Sequence, residues 1–153
     1  MIIFNHGLTG AVIALKVRNP FLALPLSFVS HFAQDLLPHT DYFAGKNDEH
    51  LFSRKFFVLL VFDCLLSLSL LIALVILFPT HRWLIWACMV AATCPDAAQG
   101  YYHLYLGRIK KKKIKFDPLS KFHYSLQWAE SGWGGLVEIA WAIAGIFIIL
   151  SLR

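Results

Sequence analysis

The chain has 153 residues, a net charge of +5 and a mean hydropathy of +0.62, with 58% hydrophobic and only 15% charged residues. That is enough for one domain, too apolar to remain disordered in water, and well below the roughly 25% charge usual in soluble domains. Three cysteines, an odd number, exclude a disulfide-stapled secreted scaffold and leave an all-α integral membrane protein as the expected class.

The apolar runs predict a single domain over residues 1–153, a bundle of transmembrane or re-entrant helices. The first run, 5–17, carries Asn5, His6, Thr9 and Lys16 among apolar residues. No basic residue precedes it, which is the wrong order for a cleavable signal. Arg18-Asn19-Pro20 interrupts the chain before the second segment, 20–37. The third, 56–78, is long enough to span and holds one charge, Asp63. Pro79-Thr80-His81-Arg82 is a break before 83–106, which is expected to be interrupted at Cys94-Pro95-Asp96 because proline removes a backbone donor. A basic loop follows, then an interfacial helix at 119–131 and a last segment at 132–152. In total the sequence predicts about four to five spanning or re-entrant helices. A closed barrel is disfavoured, because the apolar runs are continuous rather than alternating.

Ten of the fourteen basic residues fall in the loops after the second and fourth segments. Two segments separate those loops, so both are placed on the cytoplasmic side. Lys16, Arg18, Arg82 and Arg153 oppose this weakly. On that topology the costly intramembrane ionisable residues gather in the cytoplasmic half. At about 1.5 Å per residue, His31 lies roughly 9 Å from the cytoplasmic end of its helix, Asp63 roughly 10 Å and Asp96 roughly 15 Å. Groups of this kind are functional candidates by default.

Spacing adds chemistry. His31 and Asp35 are four apart and share a helix face, with His39 and Asp41 just beyond Pro38. Two imidazoles and two carboxylates in that stretch suit Zn²⁺ or a similar divalent ion. His123, Gln127 and Glu130 form a second row on one face. Asp63 and Glu138 read equally well as functional groups or as hydrogen-bonded structural carboxyls. Gly7, Gly10, Ala11 and Ala14 read as a helix-packing face, and Cys64, Cys88 and Cys94 as small buried apolar residues. The tryptophans and tyrosines near segment ends fit an interfacial belt. The run Lys110, Lys111, Lys112, Lys113 is better suited to anionic lipid headgroups than to nucleic acid, at about 1 kcal/mol per residue near the surface.

Three stretches resemble the small bacterial membrane-bound metal-dependent hydrolases. His6-Gly7-Leu8-Thr9-Gly10 is similar to that family's early His-x-x-x-Gly. Leu37-Pro38-His39-Thr40-Asp41-Tyr42 is similar to its Leu-Pro-Asp-x-Asp-His, with His39 and Tyr42 as departures. His123-Tyr124-Ser125 is similar to the end of its His-Arg-x-x-Thr-His-Ser, without the His-Arg pair. The resemblance implies a metal-dependent hydrolase of the bacterial inner membrane and adds His6 to the candidate ligands.

The expected function is thus hydrolysis of a lipid or amphiphilic ester or phosphoester at the cytoplasmic leaflet. His31, Asp35, His39 and His123 are the first-choice ligands, with Asp41, Asp96 and His6 behind them, for Zn²⁺ with Mn²⁺ or Mg²⁺ as alternatives. Asp96 or Glu130 is the expected general base. Membrane lipids are the expected partners, with self-association into a homo-oligomer and no nucleic acid. Two other readings stand beside this one. An ion- or proton-coupled transporter predicts polar residues continuing to the outer face. A non-catalytic scaffold subunit predicts that alanine at His31, Asp35 and Asp96 costs stability alone.

Overall fold

The first helix is the one the others enclose. Leu8, Ala11 and Ala14 have no exposed surface, and Leu15 almost none. A helix apolar and small on so many faces has its stable place inside the bundle. In the computed structural model, which describes residues 1–40, 54–101, 105, 109–110, 118–129 and 131–153, α1 (Ile3–Val17) packs against α2 (Pro20–Asp35), α3 (Arg54–Leu77), α4 (Arg82–Gly100) and α6 (Gly134–Leu150). The short α5 (Pro118–Leu126) runs into a 3₁₀ turn, Gln127–Ala129, and contacts α2 and α4. The chain is all-helical, with no strand among the described residues.

Local chemistry sets the helix ends. Arg18 closes α1 in the left-handed region at φ 57°, and its amide reaches back to Ala14 O. Asn19 then caps α2, its side chain accepting from Phe21 N at 3.0 Å, with Pro20 pre-set for the first helical position. α2 ends at Asp35 rather than 37, because Pro38 drives the residue before it out of the helical region. Regular α-helix in α4 ends at Gly100 rather than 106. Tyr101, Tyr105 and Ile109 have π-helical geometry, and Lys110 N bonds Tyr105 O at 2.9 Å.

The expected interruption at Pro95 is absent, since α4 continues through it. Proline deprives the carbonyl four residues back of its partner. That carbonyl belongs to Ala91, and Cys94 Sγ sits 3.3 Å from it. The lost bond is thus replaced in part from within the helix.

α1 and α4 approach closely through the predicted small-residue face. A Cβ on Gly10 would lie 2.5 Å from Cys88 O and 3.1 Å from the Ala92 methyl, so only glycine permits this crossing. Towards the C-terminal half of α1 an apolar core forms from Leu8, Ala11 and Leu15 with Ala23, Leu74, Ile85 and Ile149. The N-terminal half is lined by polar groups. Of the cysteines only Cys88 is buried; Cys64 faces outward on α3, against expectation, because α3 buries little more than Phe56, Asp63 and Leu74.

One stretch among the described residues, Phe56–Leu77, is both long and apolar enough to cross a membrane, with a mean hydropathy of 2.8 over its most apolar window. The other long helices have 15, 16, 19 and 17 residues. At about 1.5 Å rise each, the shortest reaches about 22 Å against a hydrocarbon core of about 30 Å.

Candidate metal centre

Five side chains from four helices meet at the N-terminal end of α1. His31 and Asp35 come from the last turn and a half of α2, and their spacing of four places Nε2 and Oδ2 3.3 Å apart. α5 brings His123, whose Nε2 lies 2.7 Å from Asp35 Oδ2 and 2.9 Å from His31 Nε2. Phe122 and Phe32, 5.5 Å apart, seat α5 on α2 beside it. α1 brings His6, stacked on His31 with ring centroids 4.0 Å apart and its Nε2 3.2 Å from Asp35 Oδ1. α4 brings Asp96, with Oδ1 3.6 Å from His31 Nε2 and 3.9 Å from His123 Nε2, and Oδ2 3.9 Å from His6 Nε2. The Met1 amino group also reaches Asp35 Oδ1 at 2.9 Å.

Burial makes this grouping expensive with the Met1 amino group as its one fixed cation among the described residues. The three histidines and Asp35 are almost wholly enclosed, while Asp96 is 15% exposed and marks the accessible side. His31 Nδ1 lies 2.8 Å from Ala92 O. A carbonyl only accepts, so Nδ1 carries the hydrogen and Nε2 of the neutral ring presents a lone pair. That lone pair faces Asp35, Asp96 and His123. Both His6 nitrogens and Asp96 Oδ2 lack a hydrogen-bond partner despite their burial. The 3.2 Å contact from His6 to Asp35 lies within ion-pair range but off hydrogen-bond geometry.

The donor set fits a divalent ion. Imidazole nitrogens and carboxylate oxygens bind Zn²⁺ at about 2.0–2.2 Å, which puts neighbouring ligand atoms of a tetrahedral site about 3.3 Å apart. Two overlapping triplets, His31 with Asp35 and His123, and His6 with His31 and Asp96, each hold their ligand atoms within 4.8 Å of one another. The Ala92 carbonyl on His31 Nδ1 is the outer partner that metal-ligating imidazoles usually have.

Two further carboxylates hold α1 in place instead of joining the cluster. Asp63 of α3 accepts from Ile3 N at 2.7 Å and Phe4 N at 3.0 Å. Glu138 of α6 accepts from Ile2 N at 3.1 Å and from Thr40 Oγ1 at 2.7 Å, and its carbonyl takes the Asn5 amide at 3.1 Å. Both satisfy orphan amides and oppose the positive end of the helix dipole. This resolves their open reading in favour of structure. Thr9 Oγ1 lies 3.0 Å from Asn5 O and 3.1 Å from Gln34 Oε1, and accepts from Trp141 Nε1 at 2.8 Å.

His39 does not join the convergent atoms. It is buried, its Nδ1 donates to Leu37 O at 2.7 Å, and its carbonyl accepts from Ser131 N at 3.1 Å. Pro38 ends the helical row that would have carried it round to Asp35, and α6 meets it so closely that a Cβ on Gly134 would run into its backbone. Asp41, Glu130, Lys111, Lys112 and Lys113 lie outside the described residues. Lys110 stands with Nζ 5.6 Å from the Tyr105 ring. Sequence reasoning missed the Ala92 carbonyl, since a backbone acceptor leaves no mark on residue type. Pro95, three residues on, is the one signal that could have found it.

No family model, curated protein or solved structure matches the chain.

Proposed function

We propose that the chain is an integral membrane metal-dependent hydrolase acting on a lipid or amphiphilic ester or phosphoester. The observation that carries the reading is the meeting of His6, His31, Asp35, Asp96 and His123, drawn from four helices into one buried group. Three imidazoles and two carboxylates with unpartnered atoms are a poor structural core and a good divalent-ion site.

The membrane part of the reading rests on an inverted distribution of polarity. Polar groups line the inside, while the outside presents Phe21, Phe62, Ile76 and Phe147, each more than 60% exposed. So continuous an apolar exterior is far larger than a soluble monomer tolerates. α3 crosses the bilayer, and the shorter helices are spans or re-entrant segments whose ends lie inside protein, giving a bundle of about four to five. Trp83 at one end and Trp128 and Trp133 at the other, all more than 70% exposed, suit the two interfaces. Ten of the fourteen basic residues fall in the loops on the side of the cluster, against Lys16, Arg18, Arg82 and Arg153 on the other, which favours the cytoplasmic leaflet of a bacterial inner membrane.

A divalent ion held there polarises a phosphoryl or carbonyl oxygen and makes water a stronger acid. The chain's own part is to fix the ligand atoms, exclude bulk water through the apolar wall and leave access beside Asp96. The test is metal content of the purified protein by mass spectrometry, wild type beside His31→Ala and Asp35→Ala. Metal bound by the wild type and lost from both folded variants supports the reading, and hydrolysis of lipid phosphoesters by the loaded protein completes it. A wild type that takes up no zinc or manganese after reconstitution sinks it.

A further inference from the structure

We propose that the cluster holds two divalent ions side by side, bridged by Asp35 and Asp96, and that its substrate is a phosphoester; this deepens the reading above and rests on it. Each carboxylate turns its two oxygens in different directions. Asp35 Oδ1 and Asp96 Oδ2 face His6, at 3.2 and 3.9 Å. Asp35 Oδ2 and Asp96 Oδ1 face His31, at 3.3 and 3.6 Å, and His123, at 2.7 and 3.9 Å. Asp35 Oδ1 also holds the Met1 amino group at 2.9 Å, which an ion on the His6 side would displace or take as a further ligand. A pair of ions spanned by two carboxylates accounts for the division of all four oxygens.

The His6 side is otherwise unaccounted for. The ring is fully buried, neither nitrogen has a hydrogen-bond partner, and the Asp96 oxygen nearest it has none. One ion beside His31 and His123 leaves all three buried atoms orphaned.

The two positions differ. His31, His123, Asp35 and Asp96 offer four ligand atoms to one ion. His6, Asp35 and Asp96 offer three to the other, which would leave a place for water or substrate. Two ions flanking an in-line displacement suit phosphorus, whose entering and leaving oxygens lie on opposite sides. Water forms the new P–O bond, the ester P–O bond breaks, and one water proton ends on the departing alcohol, so the reaction balances without a further reactant.

The experiment loads chelator-stripped full-length protein in detergent with Mn²⁺ and reads content by mass spectrometry and coupling by electron paramagnetic resonance, in wild type and His6→Gln. The expected result is about two ions per chain with an exchange-coupled spectrum, falling to about one uncoupled ion in His6→Gln. One uncoupled ion in the wild type overturns the pair while leaving a metal hydrolase standing. No ion overturns both. If His6→Gln fails to fold by circular dichroism, the wild-type spectrum alone decides. Loaded protein that cleaves p-nitrophenyl butyrate but neither p-nitrophenyl phosphate nor bis-p-nitrophenyl phosphate overturns the substrate class.

Discussion

His31 Nδ1 sits 2.8 Å from the carbonyl oxygen of Ala92, and that bond decides which nitrogen of His31 faces the cluster. The acceptor is offered next to a proline. Pro95 has no amide hydrogen and pushes against the preceding turn, which frees the carbonyls three and four residues back to tilt off the helix axis. Ala91 O takes Cys94 Sγ, and Ala92 O takes His31.

Pro95→Ala restores a helical amide and draws that turn back into regular bonding. The helix gains stability while His31 loses its anchor. We expect metal affinity to fall by about 10–100-fold with thermal stability unchanged or raised. Chelator competition beside a melting curve measures both. Unchanged affinity refutes the orienting role of Ala92.

Asp63→Asn keeps the shape of the cap on α1 but removes its charge and sets an NH2 donor against one of the two amides it accepts from. The expected cost is about 1–3 kcal/mol of stability, with metal stoichiometry retained. Thermal unfolding in detergent and metal analysis on the same sample check it. Loss of metal without loss of stability would place Asp63 in the site instead.

Gly10→Ala puts a methyl against Cys88 O and forces α1 and α4 apart, while Gly100→Ala meets nothing within 4 Å. The first should cost about 1–3 kcal/mol, as overpacking does, and the second close to nothing. Because His6 rides on α1 and Asp96 on α4, the first substitution should also weaken metal binding. Equal melting temperatures for the two variants would show that the close approach is not rigid.

Trp141→Phe removes the donor that holds the Thr9 hydroxyl. The expected loss is about 1 kcal/mol, and Thr9→Val should add little on top of it if the two act as one unit. A double-mutant cycle reads the coupling. Strict additivity rules out the unit.

Much of this was legible in residue type and spacing. The apolar runs locate the helices, and the spacing of His31 and Asp35 places both on one face. Charge asymmetry sets the polar residues at one end, where five of them meet. Three things were not legible. His39 looks like the next member of the row, yet Pro38 ends the helix and its ring turns back to Leu37 O. Asp63 and Glu138 look like site carboxylates, but their partners are backbone amides of a helix distant in sequence. Asp96 reads as a base or a second-choice ligand after a broken helix; the helix is intact, and both oxygens of Asp96 face imidazoles.

The capping of α1 from α3 and α6 governs how the protein is made. α1 is made well before α6, and the carboxyl that binds Ile2 N lies 136 residues further along, at Glu138. Until α6 emerges, the amide of Ile2 lacks that partner and α1 has only Asp63 of its two capping carboxylates. His6, on the same helix, can settle into its final position only once α6 has been made. Interrupted chains that end before α6 should therefore be degraded faster than the full chain, however many helices they have already formed.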